Sequence, residues 1–120
     1  LLLLTYTGRK SGKQFTIPVG YTAEGDTLTI FSGQHVWWKN LRGGAPVTAY
    51  VKGRPRPAHA EVFEDSASLL AVVDRWVERY GLKGAGQRTG LALDTQPPLS
   101  REDRIAALAG HAVVALKLDS

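Results

Sequence analysis

Glycine and proline cut the first 63 residues into five short runs that read as strands, and only afterwards does the sequence take up a helical period. Leu1 to Thr7 is an apolar run ended by Gly8. Phe15 to Thr22 alternates, with Phe15, Ile17, Val19 and Tyr21 on one face and Thr16, Pro18 and Gly20 on the other. Thr27 to Ser32 is a third strand after the turn Glu24-Gly25-Asp26. Gly33-Gln34-His35 then leads to a short helical stretch around Trp37 to Leu41, closed by Gly43-Gly44. Pro46 to Lys52 alternates again and passes through Lys52-Gly53-Arg54 into Pro55 to Phe63. Pro55 and Pro57 cannot donate ladder hydrogen bonds, so the start of that strand belongs at an edge or a bulge.

From Ser66, the expected N-cap, Leu69, Leu70, Val73, Trp76, Val77 and Tyr80 fall on one helical stripe, with Gly81 beyond its end. Residues 81–99 carry four glycines and two prolines with little periodicity, and read as a long connection of the kind that covers or borders a site. Ser100 with Asp103 starts a short helix through Ala109, and His111 to Leu118 is a last strand. Five strands, two helices and one strand make an α+β chain, and the architecture expected is a small closed or half-open six-stranded barrel with helices packed outside.

The 120 residues fit one domain, 1–120, and a start on Leu-Leu-Leu-Leu with no methionine anywhere suggests that a native N-terminal segment precedes Leu1. Hydrophobic residues at 43% and charged residues at 22% exclude a disordered or fibrous chain, and no apolar run reaches a membrane span. The absence of cysteine removes disulfides, thiolate metal sites and cysteine nucleophiles, and suits a reducing, cytoplasmic location. Residues 1–56 hold eight Lys and Arg against two acids, a net +6, whereas the remainder is −2. The first half therefore favours an anionic ligand.

Arg9-Lys10-Ser11-Gly12-Lys13 places three cations, a hydroxyl and backbone N–H groups in one turn, which suits a phosphate or carboxylate chain, although it lacks P-loop spacing. The same cluster also fits a solvated hairpin turn. The small face of Thr16, Pro18 and Gly20 lets a flat ligand, or another backbone, come close. Trp37 and Trp38 are adjacent and cannot share a face, so one can be core while the other lines a pocket. His35, His59 and His111 have no metal-ligand spacing; no G-x-S-x-G or Ser-His-Asp ordering occurs, and Glu61, Glu64 and Asp65 read as the polar approach to a helix. No metal site and no catalytic side chain is identified. A flat slot and an anion-binding turn without acid, nucleophile or metal point to a bound redox cofactor that carries the reactive atoms.

Thr7-Gly8-Arg9-Lys10-Ser11-Gly12-Lys13, Thr16-Ile17-Pro18-Val19 and Trp37-Trp38-Lys39-Asn40-Leu41-Arg42-Gly43-Gly44-Ala45-Pro46-Val47 resemble, in order and spacing, the deazaflavin-dependent nitroreductase family of the split β-barrel flavin-binding superfamily. The resemblance covers roughly residues 1–64. It implies a six-stranded split barrel that binds coenzyme F420, or FMN as the alternative, and passes hydride to a quinone, nitro compound or similar small-molecule acceptor. By that resemblance Arg9, Lys10, Ser11, Gly12 and Lys13 would hold the phosphate and carboxylates. Thr16, Ile17, Pro18 and Val19 would lie along the deazaflavin ring, and Ser32 and Trp37 would border it. A homodimer is implied as well. The tyrosine-rich C-terminal substrate region of the best-known members of that family is absent and replaced here by the glycine-rich residues 81–99.

Two other function classes compete with a reductase. A non-enzymatic barrel could carry a lipid or cofactor, and would bind F420 without turnover or not bind it. A basic β domain could stack single-stranded nucleic acid on Tyr6, Trp37, Trp38 and Tyr50, with steeply salt-dependent affinity. The reductase reading is preferred, with no nucleic-acid partner.

Overall fold

The computed structural model describes residues 1–33 and 35–119; Gln34, in the expected loop after Ser32, lies outside them. Seven strands form one antiparallel sheet: β1 (Leu2–Thr7), β2 (Gln14–Val19), β3 (Thr22–Glu24), β4 (Thr27–Ser32), β5 (Ala45–Val51), β6 (Arg54–Phe63) and β7 (Ala112–Leu118). Their order is β2-β1-β5-β6-β7-β4-β3. The sheet curls so that Leu2, Leu4, Leu28, Ile30, Val47, Ala49, Ala58, Ala60, Val114 and Leu116 meet in one inner cluster. β2 and β3 stand at the two ends of the order, and no pairing joins them among the described residues. The α+β split barrel expected from sequence is present, with one strand more.

The additional strand comes from the expected run Phe15 to Thr22. Its alternation holds through Val19, but Gly20 and Tyr21 lie outside the ladder, and the chain crosses the split before Thr22 pairs with Thr29. A continuous period of two therefore spans two strands on opposite sides of the gap. Pro55 and Pro57 behave as expected, because β7 reaches only to Leu118 opposite Ala58 and leaves residues 54–56 of β6 paired with β5 alone, while Pro57 needs only its carbonyl on that side, which accepts from the Asp119 N–H at 2.9 Å. The hairpin between them turns on Lys52 and Gly53, both at positive φ (52° and 79°), the conformation of a two-residue turn.

Helices cover the outer side of β4 and β7. α1 (Ser66–Thr89) and α2 (Arg101–Ala107) bury Leu69, Leu70, Val73, Trp76 and Leu108 against Val113 and Phe31, forming a second cluster. β4 and β7 are thus covered on both faces. Two boundaries differ from expectation. Asp65, one residue before Ser66, is the N-cap of α1, its carboxylate accepting from the Ser68 N–H at 2.9 Å. Gly81 does leave the helix, at φ 76° and ψ 173°, but residues 82–89 resume helical turns instead of forming a loop. Ala85 and Thr89 are buried there, and packing overrides the low helix propensity of Gly84 and Gly86. A Cβ on Gly86 would stand 2.9 Å from the Leu91 carbonyl oxygen, so the close return of the chain requires glycine.

Candidate functional site

The two unpaired strand edges face one another across the split. β3 covers β4 only at residues 27–29, leaving Ile30 to Ser32 without a neighbour on that side, and β2 has no partner beyond β1. Between them lies a cavity of about 400 Å³. Pro18, Val19 and Gly20 form one wall, Ile30 to Gly33 another, and Trp37, Trp76, Gln87 and Arg88 close it. Unpaired edges bring backbone N–H and C=O groups to a slot that is otherwise lined by rings and small or aliphatic side chains, with Gln87 and Arg88 as its long polar members. The lining contains no carboxylate. A Cβ added to Gly20 meets nothing within 4 Å, so the small face of that segment borders open space.

Two tryptophans divide the work expected of adjacent indoles. Trp38 is 3% exposed and donates its ring N–H to the Gly33 carbonyl at 3.3 Å, plugging one end of the barrel beside the fully buried Leu41. Trp37 is half-buried, sits 6.1 Å from the Tyr6 ring and reaches the cavity. Asn40 joins this short helix, Trp37–Leu41, to the basic turn: its Oδ1 accepts from the Arg9 N–H at 3.0 Å and its Nδ2 donates to the Trp37 carbonyl at 2.9 Å. The turn is closed by Gly8 N–H to the Lys13 carbonyl at 2.7 Å and Gly12 N–H to the Gly8 carbonyl at 3.0 Å. Arg9, Lys10 and Lys13 are exposed and make no ion pair among the described residues. Their charge is free for a ligand.

Of the expected site residues, Pro18, Val19, Ser32 and Trp37 line the cavity. Arg9, Lys10, Ser11, Gly12 and Lys13 lie at the other end of β2, six residues or about 20 Å from Val19 at the rise of an extended strand. Thr16 and Ile17 stand between: the Thr16 hydroxyl bonds that of Thr5 at 2.7 Å on the outer face, while Ile17 packs inward. Neither lines the cavity.

Sequence reading missed Arg88, Gln87 and Glu24. Arg88 stacks 3.7 Å over the Tyr80 ring and donates to the Gly84 carbonyl at 3.1 Å, which holds its guanidinium at the cavity. Residues 81–99 are expected to cover or border a site, and Gln87 and Arg88 of that stretch line the cavity, but no periodicity singled out this arginine. Glu24 looked like a turn residue. Instead it accepts from Arg75 at 2.8 and 2.9 Å, from the Thr29 hydroxyl at 2.7 Å and from the Trp76 indole at 3.3 Å. The Arg75 hydrogen bonds lead the causes that lower its pKa from 4.5 to about 2. This node fixes α1, and with it the Trp76 wall, against the β3–β4 hairpin. A larger hollow of about 580 Å³ under α1 contains Glu24 and Arg75 as well, but the two neutralise one another and leave no free charge there.

Among the described residues no three His, Asp or Glu side chains gather into a metal cluster, and no helix is long and apolar enough to cross a membrane.

Solved structures share this architecture. One described as a domain-swapped dimer has a TM-score of 0.55 at 15% identity, covering 96% of this chain and 78% of its own. One described as an F420 reductase has a TM-score of 0.52 at 12% identity, covering 99% and 86%. The FAD and heme binding protein from Mycobacterium smegmatis has a TM-score of 0.54 at 19% identity, covering 98% of this chain and 60% of its own. These likenesses define the class, the split β-barrel. No curated protein matches the chain. The model of the F420H(2)-dependent quinone reductase family matches residues 1–81, and the chain belongs to that family, among the F420-dependent oxidoreductases. All the expected site residues lie within the matched part; Gln87 and Arg88 lie beyond it.

Proposed function

We propose that this protein binds coenzyme F420 with the deazaflavin ring in the cavity between β2 and β4 and its anionic tail on the Arg9–Lys13 turn, and that it reduces a quinone. The carrying observation is a carboxylate-free slot, open at Gly20, joined by one strand edge to three unpaired cations. The residues suit the group on chemical grounds. A flat polar ring system matches exposed strand-edge N–H and C=O groups between Trp37 and Trp76, and phosphate and carboxylates match Arg9, Lys10 and Lys13.

When bound, reduced F420 supplies a hydride, and the acceptor takes up that hydride and a proton. The chain positions the ring on Pro18 and Val19, Trp37 and Trp76 exclude water from the faces of the slot, and Arg88 holds positive charge where an acceptor gains negative charge. Ser32, Tyr21 and His35 supply polar atoms at the same cavity. A nitro compound can use the same hydride, and Gln87 and Arg88 at the cavity wall set which acceptor fits. The protein works as a cytoplasmic homodimer in this reading; the likeness to a domain-swapped dimer supports the dimer.

The test is a fluorescence titration of F420 into wild type and Gly20→Leu, followed by turnover with menadione. Wild type should bind and turn over, and Gly20→Leu should lose binding by at least tenfold with its melting temperature nearly unchanged. FMN is titrated in parallel. Tighter binding of FMN would replace the cofactor, and tight F420 binding with no turnover of any acceptor would make the protein a carrier.

A further inference from the structure

The split barrel has a second opening, apart from the cofactor slot. One end is plugged by Trp38 and Leu41, whereas the other, where the β5–β6 hairpin turns, holds a cavity of about 450 Å³. Tyr21, Ala23, Leu28, Val51 and Leu118 form its apolar lining, and Lys52, Arg54 and Arg56 stand around it.

The two arginines occupy positions where the strand alternation calls for apolar residues. On β6 the inward face carries Ala58 and Ala60, both buried, and the same parity continues to Arg56 and Arg54. Their register partners on β5 are Ala49 and Val51, which belong to or pack against the inner cluster. β7 ends opposite Ala58, so these arginines project past the last strand into the open mouth. Both side chains are exposed at the rim, where a carboxylate could pair with them. Neither has one: no ion pair joins Lys52, Arg54 or Arg56 to an acid among the described residues, and no carboxylate lines the cavity. The mouth therefore joins an apolar floor to three uncompensated cations, complementary to a molecule with an apolar body and one negative end. Mouths of β-barrels are common ligand sites for the same geometric reason.

We propose that this mouth binds an amphiphilic anion of the acyl carboxylate class, its chain on Leu28, Val51 and Leu118 and its carboxylate on Lys52, Arg54 and Arg56. The site is independent of the F420 reading, and the two cavities touch only through Tyr21, which lines both.

Decanoate is the probe, titrated into the full chain with amide chemical shifts as readout, against 1-decanol for the chain without charge and acetate for charge without the chain. Shifts should concentrate on residues 21–23, 51–56 and 117–118, and decanoate should bind at least tenfold more tightly than either control. Arg54→Gln with Arg56→Gln, whose side chains are exposed, should weaken decanoate at least tenfold while leaving the 1-decanol shifts in place. Equal binding of decanol, equal binding of acetate, shifts centred on residues 9–13 or on the β2–β4 cavity, or an unchanged affinity in the double variant would each overturn the proposal. Since no F420 is added, failure of the cofactor reading leaves this result readable.

Discussion

The two ends of the half-barrel carry similar charge on opposite foundations. At the plugged end the basic turn is tied by Asn40 to the short helix whose Trp38 and Leu41 fill the barrel, so Arg9, Lys10 and Lys13 project from a braced platform. At the open end Lys52, Arg54 and Arg56 project from a hairpin that overhangs its sheet, and the nearby β3–β4 hairpin is held to α1 through Glu24. One end is fixed by apolar packing and the other by an ion pair. A count of charges cannot distinguish them, whereas removal of each foundation can.

The plug should produce the largest effect. Trp38→Ala removes a nearly fully buried indole, which costs about 3–5 kcal/mol, while Arg56→Ala at the open end should stay within about 0.5 kcal/mol. Urea denaturation measures both, and equal costs would erase the contrast between the ends. Next comes the anion role of the braced turn. Arg9→Ala with Lys10→Ala should weaken F420 binding more than tenfold without lowering stability, since charge-assisted hydrogen bonds contribute roughly 1.5–3 kcal/mol each. An unchanged dissociation constant would remove the turn from the site.

The open end should respond to acid. Glu24 has its pKa depressed from 4.5 to about 2, so it stabilises the fold fully above pH 4.5, and that contribution is lost as pH falls towards 2. Arg75 is half exposed, and solvent screening limits the expected contribution to about 1–2 kcal/mol. Hydrogen exchange at pH 3 should open β3 before β1, and Glu24→Gln should flatten the pH dependence of stability between 4.5 and 2. Uniform opening would mean that the ion pair does not hold this end.

What could be read from sequence follows the range of the signal. Strand alternation, the Trp76 stripe and the Ser100 cap are local patterns, and they place most of the strands and the starts of both helices to within a residue or two. Trp37 and Asn40 stand in a segment that carries the family resemblance, but Asn40 reaches the Arg9 backbone, 31 positions away, and backbone contacts leave no mark in residue identity. Glu24 meets Arg75 at a separation of 51, and Arg88 reaches the cavity because the chain bends at Gly81 and then turns helical again. In both cases tertiary packing overrode turn chemistry and glycine content. The seventh strand escaped for a different reason: Gly20 and Tyr21 keep the period of two while the chain leaves one edge of the split for the other.

The smallest effect tests the brace itself. Asn40 supplies two hydrogen bonds, one to the Arg9 N–H and one to the Trp37 carbonyl, in a region where water can replace the exposed partner. Asn40→Ala should therefore cost no more than about 1 kcal/mol of stability. The untethered turn must then be ordered when the ligand binds, and ordering is charged against affinity by about 0.5–1.5 kcal/mol for each side chain immobilised. F420 should bind roughly three- to tenfold more weakly, with every cation still present. A melting temperature that falls as far as that of Trp38→Ala would make Asn40 part of the plug. An affinity equal to wild type would show that Gly8 and Gly12 hold the turn unaided, leaving the packed end braced no better than the open one.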